Sequence, residues 1–263
     1  MQLIHYPDEA SFNKAIAPHL AADPDANPRL LIKYPDTAQG MRLSNKDKSA
    51  FLRVDQQGRW LPSGKSGRKA VNLIKDGGYI LPARLFAHAD VANVLLEHWQ
   101  GTPTLALHMN WYRLGQLILP KQPEGGARLA TPADLEALIQ LMSALDTETI
   151  GMARSREVLE NEVPKWIAAN TFLLWQTNSV VSACLSMIPN GQDLQRIGMV
   201  YTRPEQRGKG VGKALTAIAC QLITRAGLGV ALHADKDHVF TNQLYQSLGF
   251  VKAGEHTDYR FTS

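Results

Sequence analysis

The sequence predicts an α/β (α+β) protein: a mixed β-sheet flanked by helices on both faces in its second half, preceded by an N-terminal α/β domain. Three observations carry this. From residue 126 onward the patterned segments read β-α-α-β-β-β-α-β-α-β. Within that order, three adjacent strands that can pair by hairpins precede a strand–helix–strand crossover, which demands parallel pairing. A glycine-rich stretch, RPEQRGKGVGKAL (Arg203 to Leu215), lies where a strand hands over to a helix.

Bulk properties set the frame. A chain of 263 residues is long for one core and comfortable for two domains. Apolar content of 44% and charged content of 20% are ordinary for a soluble globular protein. No apolar run approaches the roughly 20 residues that cross a bilayer. The N-terminus, MQLIHYPDEASF, lacks a basic region followed by an apolar one, so no secretion signal is expected. Cys184 and Cys220 form neither a framework nor a CxxC pair, and a reducing cytoplasm is the expected location. A net charge of +4 is ordinary surface charge, since a duplex binder concentrates cations far more strongly. Neither a nucleic acid nor a membrane is an expected partner, and oligomeric state is not legible.

The N-terminal domain is read as residues 1–120. RLLIKYP and GYILPARLF have strand character, HADVANVLLEHWQ reads as a helix, and TPTLALHMNWYRL as a further strand. Within it, SGKSGRK (Ser63 to Lys69) contains Gly64-Lys65-Ser66, the tail of a Walker motif. A phosphate-binding loop needs GxxxxGK[ST] between a strand and a helix. Arg59 stands five residues before Gly64, and VDQQGRWLP has no apolar strand pattern, so the stretch is expected to be a mobile basic loop. LPKQPEGGARLATPADL (Leu119 to Leu135) is punctuated by Pro120, Pro123, Gly125 and Gly126 and reads as an interdomain linker.

The second domain is read as residues 126–263. ARLA is a short strand. Thr131 suits a helix cap and Pro132 a first helical position. Leu135, Leu138, Ile139, Met142 and Leu145 then recur at helical spacing. SREVLENEVPKWIAA is helical, with Pro164 expected to break or kink it. TFLLWQ and SVVSACLSMI are strands joined by a turn at Thr177-Asn178. Pro189-Asn190-Gly191 turns the chain into the strand DLQRIGMVYT. After the glycines, Val211, Ala214, Leu215, Ile218, Ala219, Leu222 and Ile223 make one apolar stripe of a helix that Gly227 ends. LGVALHA is a buried strand, TNQLYQSLG a short helix stopped by Gly249, and FVKAGEHTDYRF a closing strand.

The glycines call for a reason, because each costs a helix roughly 1 kcal/mol against alanine. A helix start offers about four unpaired N–H groups and a partial positive charge, a setting that suits anions and phosphates above all. Gly208, Gly210 and Gly212 recur at i, i+2 and i+4, which strips Cβ atoms from consecutive amides. Arg207, Lys209 and Lys213 add cations. The reading is a pyrophosphate cradle; a tight turn with no ligand is the plainer alternative.

Gln206-Arg207-Gly208-Lys209-Gly210-Val211-Gly212 is similar to the Q/R-x-x-G-x-G/A acyl-CoA signature of the GNAT family of N-acetyltransferases. MVYTRPEQRGKGVGKAL resembles the family's fourth strand, pyrophosphate loop and third helix. TNQLYQSLGF resembles its later motif N-x-x-L-Y-x-x-x-G-F, here Asn242, Leu244, Tyr245, Gly249 and Phe250, and ARLATPADL its opening strand and first helix. The resemblance covers residues 126 to 263 in the family's order. It implies a GNAT-like sheet, and family members exist whose extra N-terminal domain is a degenerate copy of the same fold.

The resemblance implies acetyl transfer from acetyl-CoA to a primary amine, small-molecule or peptide, directly in a ternary complex. Val200, Tyr201 and Thr202 match the strand end that pairs with the cofactor's pantetheine arm. Arg207, Gly208, Lys209, Gly210, Val211, Gly212 and Lys213 match the cofactor loop, with Asn242 in the later motif. Tyr245 occupies the position from which family members protonate the departing thiolate. An amine with a pKa near 10 must also lose a proton before it attacks. Glu148, Glu157, His233 and Asp235 are all candidate bases, and the residues do not choose among them. Tyr201 is either a wall of the acceptor cleft or core. The loop HADKDH looks superficially like a metal cluster, but its spacing fits no common zinc site, and no metal is expected. Cys220 falls on the apolar side of its helix and is expected to be an inert thiol. A non-catalytic acyl-CoA-binding regulatory module is the alternative to an enzyme.

Overall fold

The computed structural model describes residues 3–22, 25, 30, 41–55, 58–63, 67–76, 83–97, 102–190 and 193–262. The chain forms two compact units. Unit 1 comprises Met1–Tyr112, Ala234–Val239 and Lys252–Ser263, and unit 2 comprises Arg113–His233 and Phe240–Val251. This differs from a division into 1–120 and 126–263. The C-terminal segment counts with unit 1, because residues His256 to Arg260 form an antiparallel ladder with a strand of that unit. The stretch expected to be a linker belongs to unit 2. Among the described residues no helix is long and apolar enough to cross a membrane.

Unit 1 runs β1 (Leu3–His5), α1 (Glu9–Ala22), β2 (Arg42–Asn45), β3 (Phe51–Val54), β4 (Arg59–Pro62), α2 (Gly67–Asp76), β5 (Arg84–His88), α3 (Ala89–Glu97) and β6 (Thr102–Leu114). Strands β1 to β4 are successively antiparallel. β4 and β5 are parallel, as the α2 crossover between them requires. Adjacent residues on each strand serve opposite faces. Leu52, Trp60 and Leu85 pack with α2 and α3. Their neighbours Phe51, Leu61 and Phe86 pack with Phe12, Ile16 and Leu20 of α1. The sheet is therefore covered on both faces, and its strands also bury Arg42 and Arg53, which pair with Glu9 of α1.

Two expectations for this half are corrected. RWLP does form a strand, too short for any alternation to reveal it, and Gly67 to Lys69 open a helix where a mobile loop was expected. Gly64 to Ser66 lie outside the described residues. So do the expected strand RLLIKYP, apart from Leu30, and the start of GYILPARLF, of which Arg84 onward is β5.

Unit 2 follows the expected order: β7 (Gly126–Leu129), a 3-10 turn (Pro132–Asp134), α4 (Leu135–Ile150), α5 (Arg156–Ala168), β8 (Phe172–Thr177), β9 (Val180–Pro189), β10 (Leu194–Thr202), a second 3-10 turn (Pro204–Gln206), α6 (Val211–Arg225), β11 (Gly229–Asp235) and α7 (Val239–Ser247). The closing strand β12 (Phe250–Thr262) begins in unit 2 and ends in unit 1. The sheet order is β7-β8-β9-β10-β11, antiparallel except for the β10–β11 pair. Helices α4 and α5 cover one face through Leu138, Met142, Leu159 and Val163, meeting Phe172, Leu174, Cys184 and Tyr201. The alternate residues Leu173 and Leu185 point to the other face. Apart from one helix, the element order of unit 1 repeats that of unit 2.

The start of unit 2 is tightly tied. Arg128 donates two 2.7 Å hydrogen bonds to Asp134, which also accepts from the Thr131 amide at 2.8 Å. Three further expectations shift. Pro164 sits exposed inside α5, which runs unbroken from Arg156 to Ala168. The β8–β9 turn is Asn178-Ser179, one residue later than expected, and both residues take positive φ (48° and 64°), as a two-residue hairpin turn demands. Helix α6 buries Thr216, Ala217 and Cys220 while Leu222 is exposed, so its covered face is wider than the stripe and rotated from it.

Candidate functional site

β10 ends in a gap. Its parallel ladder with β11 runs from Leu194–Gly229 to Ile197–Leu232 and stops there. Its antiparallel ladder with β9 shifts register between Gly198 and Tyr201. Met199, inside this bulge, has φ +50°, a conformation that costs a β-carbon residue roughly 1–2 kcal/mol and that clusters at functional sites. Val200, Tyr201 and Thr202 therefore continue β10 beyond the point where β11 has left its edge.

The loop after β10 leads into α6. Gln206 and Arg207 spend their amides on the carbonyls of Arg203 and Pro204. Gly208 (φ +76°) and Gly210 (φ +83°) take left-handed backbone, and a Cβ on either would meet nothing within 4 Å. Gly212 has a different reason: a Cβ there would lie 2.9 Å from the Thr202 hydroxyl. Among the described residues, the amides of Gly208, Lys209, Gly210, Val211, Gly212 and Lys213 donate to no backbone carbonyl. Gly210, the N-cap, brings no side-chain acceptor. This run of open donors at the positive end of a 15-residue helix matches the needs of a diphosphate. Gly208, Lys209, Gly210 and Lys213 line a cavity of about 480 Å³ together with Pro120–Pro123.

Arg207 departs from expectation. Its amide is consumed, and its guanidinium is tied elsewhere. Nη2 donates to both Glu148 oxygens at 2.9 and 2.7 Å, Nε donates to the Thr202 carbonyl at 3.0 Å, and the group stacks 5.3 Å over the Tyr201 ring. Arg207 thus connects the loop to α4 instead of standing as a free cation in the cradle. Glu148 also accepts from the Tyr201 hydroxyl at 2.8 Å. Partial burial works to raise the Glu148 pKa, but the hydrogen bonds from Arg207 and Tyr201 outweigh it, and the carboxyl stays below its usual range. Burial and the same carboxylate push the Tyr201 phenol up. Tyr201 is both core, packed between α4 and the sheet, and a polar contact of Glu148.

Tyr245 and Asn242 lie on α7, both buried. The Tyr245 ring meets Phe250 edge-on at 5.8 Å. Burial, with a contribution from Cys220 on α6, drives its phenol pKa well above the ordinary value, so it is protonated throughout the neutral range. Among the described residues its hydroxyl makes no hydrogen bond. Of the candidate bases, Glu148 reaches the bulged strand. Glu157 is exposed on α5 and His233 is half-buried on β11. Asp235 falls in unit 1, where its carboxylate accepts from the Asp237 amide. Burial pushes both Cys184 and Cys220 up to about 12.

Two features of the site had no legible signal. The Met199 bulge falls in a segment that reads as an unbroken strand. The Pro120–Pro123 wall was hidden because prolines and glycines signal a break in regular structure, not what the broken segment packs against.

Residues 166–252 match the family model described as an acetyltransferase (GNAT) domain. The chain is 35% identical over 108 residues to a mycothiol acetyltransferase of Renibacterium salmoninarum, an alignment covering 38% of this chain and 31% of that protein. It thus spans about a third of the length of the curated relatives it matches. Its fold is similar to that of an acetyltransferase from the GNAT family of Colwellia psychrerythraea (TM-score 0.65, 12% identity, 100% of both chains). It is also similar to a GCN5-related N-acetyltransferase from Sphaerobacter thermophilus (TM-score 0.65, 16% identity, 98% of this chain and 95% of that one). The family model lies across the bulged strand, the glycine loop and α7, and it is over residues 166–252 that this chain matches a GNAT acetyltransferase domain.

Proposed function

We propose that unit 2 binds acetyl-CoA and transfers its acetyl group directly to a primary amine, and that unit 1 does not itself catalyse transfer. The observation that carries this is the run of unspent amides from Gly208 to Lys213, set beside a β10 edge that β11 has vacated. When bound, acetyl-CoA supplies an activated thioester carbonyl. The amides from Gly208 to Gly212, with the charges of Lys209 and Lys213, hold its diphosphate. The open edge at Val200 to Thr202 offers backbone groups to its pantetheine arm.

The chain's own residues then handle two protons. An alkyl amine is almost wholly protonated at pH 7, so its proton must leave before attack. Glu148, kept anionic by the hydrogen bonds of Arg207 and Tyr201 beside the bulged strand, is the candidate base that takes up the ammonium's proton through water and passes it to solvent. Tyr245, kept protonated by burial, supplies the proton that the departing thiolate takes up. Asn242, one helical turn before it and buried on α7, is the further cofactor contact that the later motif implies. Two free cysteines fit a reducing cytoplasm. No metal is assigned a role.

The test is thiol release from acetyl-CoA with a panel of amines that includes the acceptor of the mycothiol acetyltransferases. Wild type should release thiol with at least one amine. Tyr245→Phe should retain coenzyme A binding and lose about 10²-fold in kcat. Full turnover in that variant would remove Tyr245 from the mechanism. Binding with no release for any amine would leave the regulatory acyl-CoA-binding reading.

A further inference from the structure

The expected linker begins at Leu119, yet the segment from Gly115 to Gly125 that leads into it is pinned at both ends. The Gly115 amide donates to the Gly249 carbonyl and the Ile118 amide to the Leu248 carbonyl, each at 3.0 Å. At the far end the Glu124 carbonyl accepts from Trp175 Nε1 at 3.0 Å and from the Thr177 hydroxyl at 3.4 Å. Pro120 and Pro123 restrict the backbone between these anchors. The result is a strap rather than a tether, and its residues Pro120 to Pro123 line the 480 Å³ cavity together with the glycine loop.

The charge in this cavity comes from two sides. Lys209 and Lys213 belong to the loop and helix, and Lys209 already contacts Gln206 Oε1 at 3.3 Å. Lys121 comes from the strap, and no Asp or Glu lines the cavity. Among the described residues, the Lys121 ammonium makes no ion pair. Coenzyme A carries two separate phosphate groups: the diphosphate and, on the ribose, a terminal 3′-phosphate that is close to dianionic at neutral pH. The open amides and the helix terminus suit the diphosphate, which leaves the second group in need of a cation from elsewhere.

Building on the acetyl-CoA reading, we infer that Lys121 is a further binding residue, its ammonium pairing with the ribose 3′-phosphate across the cavity. The strap then makes unit 2 selective for coenzyme A over its 3′-dephospho form. Neither the loop nor α7 provides that selectivity.

The experiment is calorimetric titration of the full chain with coenzyme A and with 3′-dephospho-coenzyme A, for wild type, Lys121→Gln, and Lys165→Gln as a remote charge control on α5. Wild type should bind coenzyme A about five- to tenfold more tightly than the dephospho form. Lys121→Gln should erase that preference while leaving dephospho-coenzyme A affinity unchanged, and Lys165→Gln should change neither. Equal weakening of both ligands by Lys121→Gln, or no weakening of either, overturns the assignment. So does an equal effect of Lys165→Gln. A wild type that binds neither ligand defeats the acetyl-CoA reading itself, a result distinct from all of these.

Discussion

Replacing Gly249 by alanine should cost about 3–4 kcal/mol of stability, and the structure says where each part arises. Gly249 follows α7 with φ +95°, where a β-carbon costs about 1–2 kcal/mol. That Cβ would also lie 1.9 Å from the Gln116 carbonyl oxygen, a backbone atom of the strap. The strap must retreat by about 1 Å to relieve the overlap. Its hydrogen bonds to Gly249 and Leu248 are then lost, at about 1 kcal/mol each. Gly208→Ala is the control: its φ of +76° carries the conformational cost, but nothing lies within 4 Å, so about 1–2 kcal/mol is expected. Urea unfolding at pH 7, analysed with a common m-value, compares the two. Equal costs for the two variants would refute the argument, because they share the backbone conformation and differ in the collision.

Two further outcomes are expected. Asp134 is held at about 2, against an ordinary 3.8, mainly by the Arg128 hydrogen bond, so its pair contributes about 2 kcal/mol that is present above pH 4 and lost as pH falls through 2. The stability difference between wild type and Asp134→Asn, from urea titrations at pH 7, 4 and 3, should therefore be about 2 kcal/mol at pH 7 and shrink below pH 4; a difference that ignores pH would contradict it. Cys184 and Cys220, both raised to about 12 by burial, should resist a thiol reagent at pH 8 in the native protein and both react in denaturant; rapid native labelling of either would show the core around it to be open.

How much of this was legible depends on the range of the interaction that decides each feature. The order of elements from Ala127 to Phe250 followed from local periodicity and from Gly and Pro positions, because amphipathic stripes and caps are written within about a turn of chain. Features settled by distant partners were not legible. Arg207 reads as a loop cation, and only the fold reveals that Glu148, 59 residues earlier, claims it. The strap reads as a linker because its anchors, Leu248, Gly249, Trp175 and Thr177, are far away in sequence. The closing strand was expected to complete the second domain, but its ladder partner is β5. Gly208, Gly210 and Gly212 were grouped for one reason, bare amides. The structure separates them: two supply left-handed backbone and the third clears Thr202.

That separation bears on why one chain carries the same element order twice. In unit 1 the parallel pair β4–β5 is bridged by α2 as β10–β11 is bridged by α6. Gly67-Arg68-Lys69-Ala70-Val71 at the start of α2 stands against Val211-Gly212-Lys213-Ala214-Leu215 at the start of α6. Arg68 occupies the place of Gly212, the glycine that in unit 2 lets the helix approach the end of β10. Matched by helix start and by burial, Ala92-Asn93-Val94-Leu95 on α3 stands against Asn242-Gln243-Leu244-Tyr245 on α7, so a buried leucine sits where unit 2 has its phenol. A leucine has no proton to give. The positions that shape the strand order and the core are common to both units, while those that bear on chemistry differ, and the fold alone therefore carries no activity. If catalysis rests on Tyr245, its loss should leave no second site in unit 1 to sustain turnover.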